Sequence, residues 1–242
     1  MNLKIIYEDN DLLVIDKPAG IVVFNEGSTE STRSGLVDKT VIDYLIEQKP
    51  ELKNVGETPR YGIAHRLDKD TSGILLVAKS AENLIFFQNQ FKNREVGKKY
   101  TALVTGVIKN DKGVIETLIG RSPKDPRKQK AYLPEDPKTE NKRLAITEYK
   151  VLRRFKNYTL LEAKIKTGRK HQIRCHLAYL HHPIAGDKMY GFKNSSIPTG
   201  LDRQFLHAGY LKITLPNGEI KEFNSELPEE LNNVLKILNT KF

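Results

Sequence analysis

The sequence predicts an α+β fold, in which a single domain over residues 1–242 is built on a mainly antiparallel, mixed β-sheet flanked by helices and loops. Short strand patterns recur and are joined by hairpin-length turns, which is typical of antiparallel sheets. Helical patterns are scattered and do not alternate with strands as βαβ units do. No G-x-G-x-x-G or P-loop motif opens a helix, which argues against dinucleotide cofactors and against ATP bound through a P-loop.

The first third of the chain predicts two strands, a loop and a helix. Apolar runs over 3–7 and 11–16 indicate the strands, and a Lys-Pro-Ala-Gly turn ends the second one. Small polar residues over 24–36 predict a mobile loop. Thr40, with an acidic residue three positions later, is the expected N-cap of the first helix.

A buried strand at 74–79 is followed by a helix that Ser80 caps and that places Leu84, Phe87 and Phe91 on one face. Further strand patterns and a long, basic, proline-containing connection follow. The strands are expected at 99–108, 113–119, 145–155 and 158–166, and the connection at 121–142.

Two helices and a hairpin complete the predicted fold. The first helix covers 171–180, and the hairpin covers 207–223 with an Asn-Gly turn. The second helix starts near Pro228 and is expected to bury four aliphatic residues, Leu231, Val234, Leu235 and Leu238.

Composition favours a polyanionic partner. The formal net charge is +10 and the isoelectric point is about 9.4, which favours nucleic acid, although a basic surface can also serve solubility alone. Cys175 is the one cysteine, so neither a disulfide framework nor a cysteine zinc site is expected. The N-terminus lacks a signal-peptide pattern and no apolar run approaches the ~20 residues of a membrane helix, so we expect a cytoplasmic protein without a membrane partner.

The stretch YGIAHRLDKDTSGILLVAKS, residues 61–80, carries the first chemical signal. Asp68 lies between Arg66 and a Thr-Ser-Gly turn just before a buried strand, where hydroxyl and backbone donors and a guanidinium would keep it ionised. Such a carboxylate can stabilise or attack an electron-poor carbon. The residues alone favour the plainer interpretation, in which Asp68 caps a turn.

A second basic stretch, KTGRKHQIRCHLAYLHHPIAGDKMYG, covers 166–191. Its cations cluster at a strand end and a helix start, which together predict an anion site for RNA phosphates. The histidines His171 and His176 are five residues apart, and not the four that a helical metal site needs, so no metal site is predicted.

The motif HRLDKDTSGILLVAK resembles the signature of the RluA-type pseudouridine synthases. The resemblance starts at IIYEDNDLLVIDKPAGIVV and continues through KKYTALVTG and TGRKHQIRCHLAYLHHPIAGDKMYG to LHAGYLKITLP, in matching order and spacing. It implies a pseudouridine synthase fold and an enzyme that isomerises uridine in RNA without a metal or an organic cofactor.

The resemblance also implies residue roles. Asp68 is the catalytic carboxylate, acting either as nucleophile at the anomeric carbon of the ribose or as base on the neighbouring carbon. Arg174 pairs with Asp68, Tyr100 stacks on the flipped uracil, and Arg66 helps to extrude the target nucleotide. Asp70 is interpreted as a turn residue. The other expected RNA contacts are Lys98, Lys99, Arg127, Lys128, Lys130, Arg169, Lys170 and His171, with a solvated basic loop as the alternative for residues 121–131.

Two departures from the resemblance stand out. Phe24 occupies a position where many members carry His, which puts an RNA contact there in doubt. The resemblance starts within the first few residues, so the small N-terminal RNA-binding domain of many members is expected to be missing and the catalytic domain to bind RNA alone. We expect a monomer that acts on structured RNA.

The expected substrate is ribosomal RNA of the large subunit, with tRNA as the alternative. A non-catalytic RNA-binding protein would keep the basic surface but would not need a carboxylate facing a polyanion. An RNA nuclease would use His171 or His176.

Overall fold

The computed structural model describes residues 2–25, 38–137 and 139–240. The chain forms two compact units, Met1–Val96 with Tyr210–Ser225, and Gly97–Gly209 with Glu226–Phe242. Both contain antiparallel strands and helices, so the predicted α+β class is confirmed. The assignment of residues 1–242 to one domain stays a prediction.

Within its described residues, the first unit contains three antiparallel strand pairings and two α-helices. Its elements are β1 (Lys4–Glu8), β2 (Leu12–Lys17), α1 (Val41–Gln48), a 3-10 helix (Pro50–Asn54), β3 (Ser72–Ala78), α2 (Ala81–Asn93), the part of β9 (Leu206–Thr214) from Tyr210 onward, and β10 (Ile220–Asn224). Strand β2 pairs antiparallel with both β1 and β3, and β9 pairs antiparallel with β10.

The core of this unit lies on β2 and β3. All seven residues of β3 are buried, as the continuous apolar run predicts. Thr40 and Asp43 form the predicted capping box at the start of α1, and Ser80 caps α2 by accepting from the amide of Asn83 at 3.1 Å. Leu84 of α2 packs into the same core.

Within its described residues, the second unit contains antiparallel strands and two α-helices, of which α3 is largely buried. Its elements are β4 (Gly97–Thr105), β5 (Lys112–Arg121), β6 (Gln129–Tyr132), β7 (Arg143–Arg154), β8 (Tyr158–Ile165), α3 (Gln172–Tyr179), the start of β9, and α4 (Glu229–Asn239). The order of its antiparallel strands is β4-β8-β7-β5-β6.

Buried polar side chains fix α3 to β7. Gln172 donates to the carbonyl of Ile146 and to the hydroxyl of Thr147, both at 3.0 Å. The ring of His176 lies between Thr147, 2.8 Å from Nδ1, and Thr117, 3.1 Å from Nε2. Burial lowers the pKa of His176 to about 4, so the ring is neutral near pH 7.

Local patterns predicted most elements, and long-range contacts account for the exceptions. The connection over 121–142 contains strand β6, which pairs with β5 and was not predicted. The 3-10 helix was also not predicted. In α4, Leu231 and Val234 are buried as expected, but Leu235 and Leu238 are half-buried. Apart from Phe24 and Asn25, the predicted loop 24–36 lies outside the described residues.

No helix in the described part of the chain is both long enough and apolar enough to cross a membrane.

Titration of His176 predicts acid sensitivity of the fold. Its pKa is about 4 when folded and 6.5 in the reference state, so the unfolded chain binds a proton that the folded chain does not as pH falls from 6.5 to 4. Between pH 7.5 and 5.5 this one group should remove about 1 kcal/mol from the free energy of unfolding. Urea unfolding of wild type and His176→Gln at both pH values measures the effect, and an equal loss in both proteins would contradict it.

Candidate active site

The buried ammonium group of Lys17 organises the turn after β2. The side chain is fully buried, and Nζ donates to the carbonyl oxygens of Pro18 at 2.7 Å, Ile21 at 2.8 Å and Lys69 at 3.0 Å. A buried charge needs such partners to offset its lost hydration. Lys17 therefore joins the Pro-Ala-Gly turn to the segment that carries Asp68.

The segment around Asp68 is fixed by backbone bonds on both sides. The carbonyl of Lys69 also accepts from the amide of Gly20 at 2.9 Å, and the amide of Thr71 donates to the carbonyl of Asp68 at 3.1 Å. Asp68 is half-buried, while Asp70 is exposed. The backbone bond and the exposure of Asp70 agree with a tight turn between Asp68 and the start of β3 at Ser72.

The start of the segment is attached to β3. The amide of Leu76 donates to Nε2 of His65 at 3.0 Å, and the His65 ring stacks on Phe91 of α2 with centroids 4.5 Å apart. A Cβ on Gly62 would lie 2.2 Å from the carbonyl oxygen of Ala78, so only glycine fits there. The segment that contains Asp68 is thus attached to β3 on its N-terminal side, through Gly62 and His65. On its C-terminal side it is bound by Lys17 through the carbonyl of Lys69.

Arg66 is exposed and its guanidinium lies 5.4 Å from the ring centroid of Phe24. A cation over an aromatic face at this distance is attracted by the ring quadrupole. The contact orders the long arginine side chain without covering it.

In the second unit, Arg174 of α3 forms a bidentate ion pair with Asp187. Its Nε donates to Oδ2 at 2.7 Å and its Nη2 to Oδ1 at 3.0 Å. Asp187 also accepts from the amides of Met189 and Tyr190, both at 2.9 Å. Burial alone would raise the pKa of Asp187, but the hydrogen bonds and charge of Arg174 and the two amides lower it overall.

An aromatic side chain supports this pair. The guanidinium of Arg174 lies 5.1 Å from the centroid of Tyr190. The Tyr190 hydroxyl accepts from the amide of Gln129 in β6 at 2.6 Å and lies 3.1 Å from Nδ1 of His171. Burial raises the pKa of Tyr190, so its hydroxyl remains protonated. Asp187 and the ring of Tyr190 therefore orient the guanidinium group of Arg174 from two sides. Its predicted pairing with Asp68 stays a prediction.

Tyr100 lies on β4 opposite Ala163 of β8, and it is buried. Burial on a paired strand restricts its ring to few rotamers. Its predicted role in stacking on uracil stays a prediction.

The predicted phosphate contacts differ in their surroundings. Lys98 is half-buried, and desolvation lowers its pKa to about 8. The Nζ atom of Lys99 lies 3.5 Å from Oε2 of Glu162. Arg127 is exposed but forms a bidentate pair with Asp125, at 2.9 Å from each carboxylate oxygen. Arg127 is therefore partly neutralised.

Five further residues of the second unit, four cations and His171, complete this group. Lys130 lies over Tyr132 with Nζ 4.8 Å from the centroid, and Arg169 donates to the carbonyl of Leu144 at 3.0 Å. Lys170 is exposed, while Lys128 and His171 are half-exposed. All five can reach solvent, as a phosphate contact requires.

The histidines do not form a metal centre in the described ranges, where no three His, Cys, Asp or Glu side chains are grouped as ligands. His176 is fully buried between two threonines and cannot contact RNA, so it does not serve the nuclease alternative.

A family model described as RNA pseudouridylate synthase matches residues 11–179, which include Asp68, Tyr100 and Arg174. The chain belongs to this family. It is an RNA pseudouridine synthase, an isomerase, and the resemblance to the RluA type is confirmed.

Curated bacterial proteins and a solved human structure are similar over nearly the whole chain. An uncharacterised RNA pseudouridine synthase of Bacillus subtilis is 40% identical over 239 residues, which are 98% of this chain and 73% of the relative. The ribosomal large subunit pseudouridine synthase D of Nitrosomonas europaea is 40% identical over 243 residues, 98% of this chain and 65% of the relative. Human RNA pseudouridylate synthase domain containing 4 has a TM-score of 0.76 at 26% identity, with 98% and 93% of the two chains covered.

Sequence reasoning did not identify Lys17, His65 or Asp187 as site residues. The Lys-Pro-Ala-Gly turn was noted only as a strand end, although a lysine closing an apolar strand is an unusual core residue. Asp187 lies 13 residues after Arg174 in the conspicuous GDKMYG stretch. No spacing rule would pair the two.

Lys17→Met should destabilise the protein and lower its activity. The methionine fills the space but removes all three hydrogen bonds of the ammonium group, and among the described residues only the carbonyl of Lys69 keeps another donor, the amide of Gly20. The free energy of unfolding should therefore fall by about 3 kcal/mol. Urea unfolding measures it, with the exposed Lys53→Met as the control, which should change by less than about 0.5 kcal/mol. Equal stability of the two variants would contradict the assigned role.

Asp187→Asn should also be strongly destabilising. It removes the negative charge from the buried bidentate pair with Arg174, a loss of about 3 kcal/mol. The matched control is Asp111→Asn, which breaks an exposed pair with Arg154 and should cost less than about 1 kcal/mol. Denaturant midpoints of the two variants test this difference, and similar midpoints would count against it.

Proposed function

We propose that this enzyme converts uridine to pseudouridine in large-subunit ribosomal RNA, with Asp68 as the catalytic carboxylate. The observation that carries the proposal is the pinned segment before β3, which holds a half-buried Asp68 within the family signature. The choice of RNA is supported by similarity to relatives named ribosomal large subunit pseudouridine synthase D in Nitrosomonas europaea and Pseudomonas aeruginosa.

The reaction breaks the bond between ribose C1′ and uracil N1 and forms a bond between C1′ and uracil C5. The proton on C5 leaves to solvent and N1 gains a proton, so no cofactor is consumed. Positive charge develops at C1′ during cleavage, and an ionised carboxylate stabilises it, as in glycoside hydrolysis. Asp68 acts either as nucleophile at C1′ or as base at C2′.

The remaining roles follow from the same chemistry. Arg174 keeps Asp68 ionised, and Tyr100 stacks on the extruded uracil. Arg66 fills the space that the uracil leaves in the RNA, where unstacking costs a few kcal/mol that protein contacts offset. Water must be kept away from the detached sugar, because hydrolysis there would end the isomerisation. We also propose that the protein acts as a monomer.

Loss of the carboxylate should abolish isomerisation while RNA binding persists. The assay is tritium release from large-subunit ribosomal RNA that carries tritium at uracil C5, because C–C bond formation expels it. Asp68→Asn should slow release by roughly 10³-fold or more. The control Asp70→Asn, in the same turn, should stay within about threefold of wild type.

Two results would contradict this assignment. Release by Asp68→Asn at the wild-type rate would remove Asp68 from the chemistry. Absence of release by wild type from both ribosomal RNA and tRNA, with RNA still bound, would favour the non-catalytic RNA-binding protein. Release from tRNA alone would replace the proposed substrate.

The lowered pKa of Lys98 predicts pH-dependent RNA binding. With a pKa of about 8, Lys98 loses its charge as pH rises through the range in which exposed lysines stay charged. RNA affinity should fall by up to about fourfold between pH 7 and pH 8.5. Lys98→Arg should remove this dependence, because guanidinium remains charged. Equal pH profiles of both proteins in a binding titration would exclude Lys98 as a contact.

A further inference from the structure

Two arginines share one aromatic ring next to the segment that carries Asp68. The guanidinium carbons of Arg60 and Arg66 lie 5.2 and 5.4 Å from the centroid of Phe24. Both arginines are exposed, whereas the phenyl ring is only 6% exposed. Arg60 has no part in the proposed mechanism.

The ring is a rigid platform. The carbonyls of Val22 and Val23 accept from the amides of Val41 and Ile42, at 2.9 and 3.1 Å, at the start of α1. These bonds satisfy helix N–H groups that have no partner within the helix, and they fix the backbone that carries Phe24. An arginine side chain that stacks on a fixed ring loses its conformational freedom before RNA arrives, so less is lost on binding.

The position of Arg60 is equally fixed by its backbone. Its amide donates to the carbonyl of Glu57 at 2.9 Å, and its carbonyl accepts from the amide of Ile63 at 3.0 Å. Arg60 therefore projects from an ordered turn at the beginning of the segment that ends at Asp68.

The chemistry of the pair matches an RNA backbone. Two like charges at one ring repel, and the attraction of the ring offsets this only in part. A neighbouring anion lowers the energy of the pair. The planar guanidinium binds phosphate oxygens through two parallel hydrogen bonds, and the substrate offers a phosphate at every nucleotide.

We propose that Phe24, Arg60 and Arg66 form an RNA contact in which Arg60 binds a backbone phosphate beside the target nucleotide and Phe24 holds both arginines in place. The proposal rests on the proposed function, in which Arg66 enters the RNA at that nucleotide. It makes Arg60 a phosphate contact and Phe24 a positioning residue.

The test is the salt dependence of RNA binding, measured in the Asp68→Asn background so that RNA is not converted during the titration. The probe is a large-subunit ribosomal RNA transcript. Arg60→Gln should reduce the slope of log K against log salt by about 0.7–0.9, the loss of one phosphate contact. The control Arg94→Gln removes an exposed arginine at the C-cap of α2 and should leave the slope unchanged.

Variants of Phe24 test the platform separately. Phe24→Leu keeps both charges but removes the ring, and it should weaken RNA binding by about fivefold at ~0.1 M salt. Phe24→Tyr keeps an aromatic face and should bind within about twofold of the parent. Combining Phe24→Leu with Arg60→Gln should weaken binding little further, because both changes remove the same contact. Thermal unfolding of each variant identifies any loss of fold, and Arg60→Gln, at an exposed position, tests the contact even where Phe24→Leu fails to fold.

An unchanged slope in Arg60→Gln would overturn the proposal. A reduction as large in Arg94→Gln would also overturn it, because the effect would then reflect net charge alone. Tritium release by otherwise wild-type protein separates this outcome from a failure of the proposed function. If tritium is released but the slope of Arg60→Gln is unchanged, the Arg60 contact is rejected and the proposed function stands. If the slope is reduced but no tritium is released, the RNA contact stands and the proposed function is rejected.

Discussion

The buried ammonium of Lys17 is the interaction on which the candidate active site depends. Three carbonyl oxygens, from Pro18, Ile21 and Lys69, surround one charge that has no access to solvent. Because two of them belong to the turn after β2 and the third follows Asp68, a single group sets the distance between both segments. A neutral side chain could fill the space but could not bind three acceptors. These hydrogen bonds therefore restrain the loop that carries Asp68.

The same organisation repeats in the second unit with different groups. Gln172 and His176 join α3 to β7 through buried hydrogen bonds, and Asp187 and Tyr190 then orient Arg174. In both units a buried polar network fixes a short segment, and the segment presents one charged side chain. In the proposed function, charges held in this way need no reorganisation during the reaction.

The sequence alone was sufficient for the fold class, most elements and the family, because these depend on local periodicity and on a long ordered motif. It was not sufficient for β6, whose four residues pair with β5 inside a segment that reads as a basic loop. Nor could it pair Arg174 with Asp187 or Phe24 with Arg60, since such contacts depend on how the chain folds back. The roles of Asp68 and Tyr100 came from the family resemblance, because an Asp before a Thr-Ser-Gly turn is equally a capping residue.

The central claim is that Lys17 fixes the loop that presents Asp68, and amide hydrogen exchange tests it most directly. Lys17→Met should be compared with wild type at a pH and temperature where both are folded. Exchange at the amides of Gly20 and Thr71, which bond within this turn, should become at least roughly 10²-fold faster in the variant, while the amides of β3 stay protected. Unchanged exchange at Gly20 and Thr71 would contradict the claim, as would equal acceleration throughout β3, which would indicate a general loss of stability.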